Sequence, residues 1–204
     1  MSVNPLRWKT KNLILTITTV VLFYFIFIYK KSNRIQSVGV IKNVHPIKVW
    51  EFVADFSNMK LLNPLIDDFN IIAESGNYEH WQYSVEYTEH LRYLPFIKNF
   101  GVGHFSIKTE NDTYLISSNH NTCFFGFICV KSTSEFKFQK DEETNTRCTE
   151  SVEYHCPITV KYLCDKEATE QRKDIMNRLK ILYIQNIYKG GLKSFKPFYK
   201  SFKK

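Results

Sequence analysis

The feature that most constrains this chain is an uncharged run near its start. Leu13–Tyr29 (LILTITTVVLFYFIFIY) holds 17 residues without a charged side chain. As a helix rising about 1.5 Å per residue it covers roughly 26 Å, enough for a thin bilayer such as that of the endoplasmic reticulum. Arg7, Lys9 and Lys11 precede the run, and Lys30, Lys31 and Arg34 follow it. Trp8, Tyr24 and Tyr29 fall where amphipathic rings favour the membrane interface. A segment apolar on every face and bounded by charge does not suit a buried core helix. A cleaved signal peptide shares the basic start, but no small-x-small cleavage site follows, and paired lysines act as a stop-transfer flank. Residues 1–34 are therefore expected to form an uncleaved single-pass anchor.

Charge sorts the remaining partners. The chain carries a formal +8 over 204 residues. Residues 1–45 and 189–204 hold 13 of the 28 Lys and Arg and no acid, so residues 46–188 set 15 basic groups against all 20 acidic ones, a net −5. A nucleic-acid domain places its basic patch on the folded body. Basic, apolar ends around an acidic body fit a membrane surface instead, and nucleic acid is excluded as a partner. The basic residues flanking the run are nearly balanced and lean toward a cytosolic domain. Five cysteines, an odd number, lean the same way: reduced thiols packed as small hydrophobes are expected. The sequon Asn111-Asp112-Thr113 points the other way, to a lumenal domain. The resulting expectation is a cytosolic domain on the endoplasmic reticulum or another internal membrane.

Periodicity then orders the body. Ile35–Val44 reads as a strand stopped by His45-Pro46. Ile47, Trp50, Val53 and Ala54 recur at helical spacing, and Met59–Leu62 makes a short second helix before Asn63-Pro64. About six strand-like segments follow. His80–Thr88 is the cleanest, with Trp81, Tyr83, Val85 and Tyr87 on one face. Ser134–Gln139 turns Phe136 and Phe138 to one side, and Arg147–His155 does so with Val152 and Tyr154. Lys166–Ile187 predicts a long amphipathic helix whose acidic residues come first and basic residues last, and Gly190-Gly191 ends it. An alternating antiparallel sheet has one apolar face to cover, and this helix is large enough to cover it.

The stretch VIKNVHPIKVWEFVADFSNMKLLNP resembles the opening of the START-like (SRPBCC) superfamily, through Pro46, Val49, Trp50, Val53, Asp55, Asn63 and Pro64. The superfamily includes polyketide cyclases and lipid-transfer domains. The resemblance implies an α+β helix-grip fold, a curved antiparallel sheet around a long C-terminal helix, here preceded by one N-terminal transmembrane helix. The expected units are the anchor 1–34, a START-like domain 35–188 and a basic aromatic tail 189–204. The implied function is binding or transfer of a hydrophobic ligand, a lipid or sterol, in a cavity between sheet and helix. A cyclase- or hydrolase-type enzyme in the same cavity, or a tethered interaction module with a filled core, remains open.

Candidate cavity residues are Trp81, Tyr83, Val85, Tyr87, Phe136, Phe138, Tyr154, Leu179 and Tyr183, which could equally be plain core. Hydroxyls on the tyrosines would suit a ligand with one polar group on an apolar body. The apolar loop Leu91–Phe100 is a candidate gate. Scattered His and Cys show no metal-ligand spacing, and no cofactor, metal or catalytic residue is expected. Glu86 and Glu153 fall on polar strand faces and are expected to be solvated. In the tail, Lys193, Phe195, Lys196, Phe198, Tyr199, Lys200 and Phe202 would form a second membrane contact. Protein partners are not indicated.

Overall fold

A computed structural model describes residues 5–188, apart from 125, 127 and 143. The tail and its membrane-surface candidates lie outside the described residues.

The chain opens with helix α1 (Pro5–Phe23), extended by a wider turn at Tyr24–Ile28. Within it Lys9–Ile26 is long and apolar enough to cross a membrane, and none of that window is buried. Strand β1 (Lys30–Ile41) follows after a single residue. It begins five residues before the expected strand, inside the segment assigned to the anchor. Its first residue, Lys30, pairs with Pro157.

His45 closes the turn after β1. Its ring Nδ1 accepts the Ile47 N–H, and Pro46 supplies a preset φ for the first turn of α2 (Pro46–Ala54). Asp55 caps the next turn by accepting from Ser57 N–H and Oγ–H. Helix α3 (Met59–Leu62) is short. Six strands follow: β2 (Ile66–Gly76), β3 (His80–His90), β4 (Lys98–Glu110), β5 (Thr113–Phe124), β6 (Ile128–Asp141) and β7 (Asn145–Pro157). A short 3-10 turn, Ile158–Val160, leads into α4 (Lys161–Tyr188), 28 residues long.

The seven strands form one antiparallel sheet in the order β1-β7-β6-β5-β4-β3-β2. The two strands adjacent in sequence, β1 and β2, are thus the two edges, and α2 and α3 carry the chain between them across the concave face. Two register shifts in the β2–β3 pairing bend that edge. Helix α4 lies along the same face against β1, β7 and α3. The apolar stripe predicted for α4 is buried where it meets the sheet, at Ile175, Met176, Leu179 and Tyr183. Gly39 of β1 leaves the room that Met176 fills: an added Cβ would lie 2.4 Å from its sulfur.

The register gives the sheet two distinct ends. Lys30, Pro157, Ile128, Phe124, Lys98, His90 and Ile66 share the end where α1 enters. The turns at Asn43, Asn111 and Glu142 share the other, and all three residues have positive φ. The far end is solid. Val49, Trp50, Phe138 and Leu179 are buried there, and the Trp50 indole N–H donates to the Leu115 carbonyl at 3.2 Å.

The cysteines correct an expectation. Cys123 and Cys129 are direct partners across the β5–β6 hairpin and form a disulfide. A second disulfide, Cys156–Cys164, ties the end of β7 to the first turn of α4. Cys148 alone is free and buried. Spacing along the chain could not reveal these pairs, because strand register and the β7–α4 corner bring the sulfurs together.

A cavity in the grip of the sheet

Between the concave face, α3 and the first half of α4 lies a cavity of about 390 Å³. That is within the usual range for small-molecule sites. Strand alternation supplies its floor. Ile116, Ser118, His120 and Thr122 of β5 point inward, as do Ser132, Ser134 and Phe136 of β6, and Glu150, Val152 and Tyr154 of β7. Val53, Phe56 and Ile175 close it toward the solid core. Leu94, Ile97, Phe124, Val130, Pro157, Val160 and Leu163 line the opposite end, the end of the sheet where α1 enters.

Of the residues expected to line a cavity, the structure brings three together: Tyr87, Phe136 and Tyr154. Trp81, Tyr83, Val85, Phe138, Leu179 and Tyr183 sit outside it, in the closed core beneath α2 and α4. The reason is position along the strands. The same inward row is covered by α2 at the distal end and left open nearer α1. Tyr83 donates to the Ala54 carbonyl and Tyr183 to the Lys48 carbonyl, so both hydroxyls are spent on α2.

A chain of polar groups crosses the cavity floor. The Tyr87 hydroxyl shares hydrogen bonds with His120 Nδ1 at 3.2 Å and Thr122 Oγ1 at 3.0 Å. His120 Nε2 pairs with Ser118 Oγ at 2.8 Å, and Ser118 with Ser134 at 2.8 Å. Glycines make this crossing possible. Tyr87 on β3 reaches over Gly101 of β4 to meet β5, and a Cβ at Gly101 would lie 2.4 Å from its ring. Gly103 clears His120 in the same way. Burial drives the His120 ring down to about 3, with Arg172 adding to the effect, so the imidazole is neutral.

Charged groups gather on one wall. Arg172 of α4 donates to Glu150 of β7 at 2.8 Å. Glu167 of α4 accepts the Arg92 backbone N–H at 2.8 Å. Glu89, at the end of β3, is pushed up to about 7 by burial, against the opposing pull of Arg172. Sequence reading passed over these carboxyls, although the signal was there. Glu89 has the parity of Tyr83 and Tyr87, and Glu150 that of Val152 and Tyr154. Glu86 and Glu153, with opposite parity, point away: Glu153 is exposed and accepts from Ser32. The loop Leu91–Ile97 spans the open end, latched to α4 by the Glu167 bond and by the 2.6 Å Arg92–Asp174 pair.

An antiparallel sheet curled around one long helix, with a cavity held between them, defines the class: the chain has the helix-grip fold of the START-like superfamily. Solved structures agree. The Zhui aromatase/cyclase from Streptomyces sp. R1128 superposes with a TM-score of 0.59 at 9% identity, over 79% of this chain and 100% of that one. A START superfamily protein from Mycobacterium smegmatis gives 0.56 at 14% identity, over 74% and 97%. Norcoclaurine synthase from Thalictrum flavum gives 0.55 at 13% identity, over 76% and 88%. No family model matches the sequence, and no curated protein does. At such low identity the likeness establishes the fold alone.

Proposed function

We propose that this protein is a single-pass membrane protein that takes an amphipathic, mainly apolar ligand from its own bilayer into the helix-grip cavity. The observation that carries this reading is where the cavity opens. Its partly exposed lining residues, Leu94, Phe124, Val130, Val160 and Leu163, cluster at the sheet end where α1 enters. The Ile158 N–H donates to the Tyr29 carbonyl at 3.4 Å, and Thr159 Oγ donates to the Ile26 carbonyl at 2.9 Å. The end of the apolar helix is therefore bonded to the turn beside the cavity mouth. Phe96 and Tyr162, each 79% exposed, flank it, on the gate loop and on α4. A ligand leaving the bilayer there would exchange one apolar solvent for another without crossing water.

The test is retention of ligand. Full-length protein purified in mild detergent should release an apolar molecule on solvent extraction, seen as an adduct by native mass spectrometry. Ala168→Trp, which fills the cavity from α4, should abolish the adduct while the protein stays folded. An adduct unchanged in that variant would refute the reading.

The cyclase-type alternative has one specific observation in its favour. Glu89, titrating near 7 inside the cavity, has the acidity that general acid–base chemistry uses. Glu89→Gln would then stop turnover of a bound substrate without releasing it.

For topology, the two disulfides support a domain on the non-cytosolic side, since such bonds persist in oxidising compartments. The sequon agrees: Asn111 is exposed at the distal β4–β5 turn, away from the anchor.

A further inference from the structure

The wall of charged groups has more carboxylates than partners for them. Glu89, Glu150 and Glu167 line the cavity with Arg172 as the guanidinium among them. Arg172 spends Nη1 on Glu150 Oε1 at 2.8 Å and Nη2 on Gln171 Oε1 at 3.1 Å. Gln171 Nε2 reaches Glu89 at 3.5 Å. Of the neighbouring basic side chains, Arg92 pairs with Asp174 through Nη2, its Nε left without a partner among the described residues, and His90 shares a hydrogen bond with Asp67. Among the described residues, Oε2 of Glu150 and Oε2 of Glu167 are then left buried without a hydrogen-bond donor. These side chains are not incidental surface groups, being 5% and 9% exposed as whole residues. Buried carboxylate oxygens without donors are costly, and an apolar wall would have been the simpler packing. The arrangement has what a bound cation needs and what a bound anion would be repelled by.

We propose that the ligand is an apolar amine, its protonated head seated on the Glu150–Glu167 wall and its tail along the apolar part of the cavity. This rests on the cavity being a ligand site and adds the chemistry of the head. The ammonium N–H groups donate to the two free carboxylate oxygens. Arg172 Nε, also without a partner among the described residues, donates to a hydroxyl if one neighbours the amine. Anionic and neutral lipids of equal chain length are discriminated against, because neither neutralises the wall.

Three probes with one tail and different heads test this: dodecylamine, dodecanol and dodecanoate. Each is titrated into full-length protein in nonionic detergent, and bound adducts are read by native mass spectrometry. Dodecylamine is expected to bind at least about tenfold more tightly than dodecanol, with dodecanoate weakest. Glu167→Gln keeps the acceptor for the Arg92 N–H and removes the charge. It should bring the amine down to the level of the alcohol and leave dodecanol binding unchanged. Glu150→Gln should act in the same direction but also frees Arg172, so Glu167→Gln is the deciding variant. Dodecanoate binding as tightly as the amine, or an amine preference intact in Glu167→Gln, would overturn the proposal while leaving the cavity reading standing. Failure of all three probes would overturn both.

Discussion

Burial holds the Glu89 carboxyl up at about 7 and the His120 imidazole down at about 3. The signs oppose each other. Between about 4.5 and 7 the folded protein keeps a proton on Glu89 that the unfolded chain has released, so this group's contribution is lost as pH rises. Between about 3 and 6.5 the unfolded chain protonates His120 and the folded protein does not, so that contribution is lost as pH falls. Over pH 4.5–6.5 the two slopes offset. Thermal melts of Glu89→Gln should show stability rising with pH in that window, and melts of His120→Asn should show it falling. Parallel, flat profiles in both variants would mean that neither group is held as described. A second residue-scale prediction concerns Gly101. Adding a methyl group there drives it into the Tyr87 ring, which is fixed by His120 and Thr122. Gly101→Ala should cost about 1–3 kcal/mol, as overpacked cores do. Gly39→Ala meets the flexible end of Met176 and should cost less.

At the scale of elements, α2 and α4 divide one inward-facing row of side chains into packed core and cavity wall. Phe136 and Phe138 show the division, two residues apart on β6 with rings 4.5 Å between centroids. Phe138 is fully buried against α2 and α4, and Phe136 faces the cavity. Phe138→Ala should lose about 3–5 kcal/mol by denaturant melting, without a specific loss of ligand. Phe136→Ala should weaken an apolar adduct and lose less stability, because its neighbour on one side is already empty space. Equal effects of both on stability, with no change in binding, would make the space between sheet and helix ordinary core. This division explains why alternation in the sequence found the inward row and could not say which of its members meet a ligand. Parity along a strand fixes the face, and only the placement of α2 and α4 fixes what covers it.

For the whole molecule, the compartment that the domain faces in the proposed single-pass arrangement has the sharpest readout. Full-length protein made in a secretory eukaryotic host should carry one glycan, removed by endoglycosidase and absent in Thr113→Ala. Denatured without reductant it should expose one reactive thiol, that of Cys148, and five after reduction. An unmodified mass together with five thiols before reduction would restore the cytosolic domain that flanking charge suggests. The mouth of the cavity should matter separately from its interior. Phe96→Asp and Tyr162→Asp place charge on exposed positions of the Leu91–Ile97 loop and of α4. They should slow ligand uptake from vesicles and leave the melting temperature unchanged.

The sequence by itself determined what depends on local pattern. An uncharged run makes α1 long and apolar enough to cross a membrane, and period-two alternation marks the strands. Helical spacing at Ile175, Met176, Leu179 and Tyr183 gives the buried stripe of α4, and Pro46 through Pro64 gives the superfamily likeness that the fold bears out. Strand β1 starts before its apolar pattern does, because its charged and polar first residues pair with β7 through backbone bonds that side-chain pattern does not report. What tertiary structure alone decided depends on distance in space between residues far apart in the chain. Register set Cys123 against Cys129, and a corner set Cys156 against Cys164. Curling of the sheet brought Glu150 of β7 to Arg172 of α4, and Tyr87 of β3 across a glycine to His120 of β5. Pairing of β1 with β7 put α1 beside the open end of the cavity, because the backbone hydrogen bonds of the first strand are satisfied only by the last.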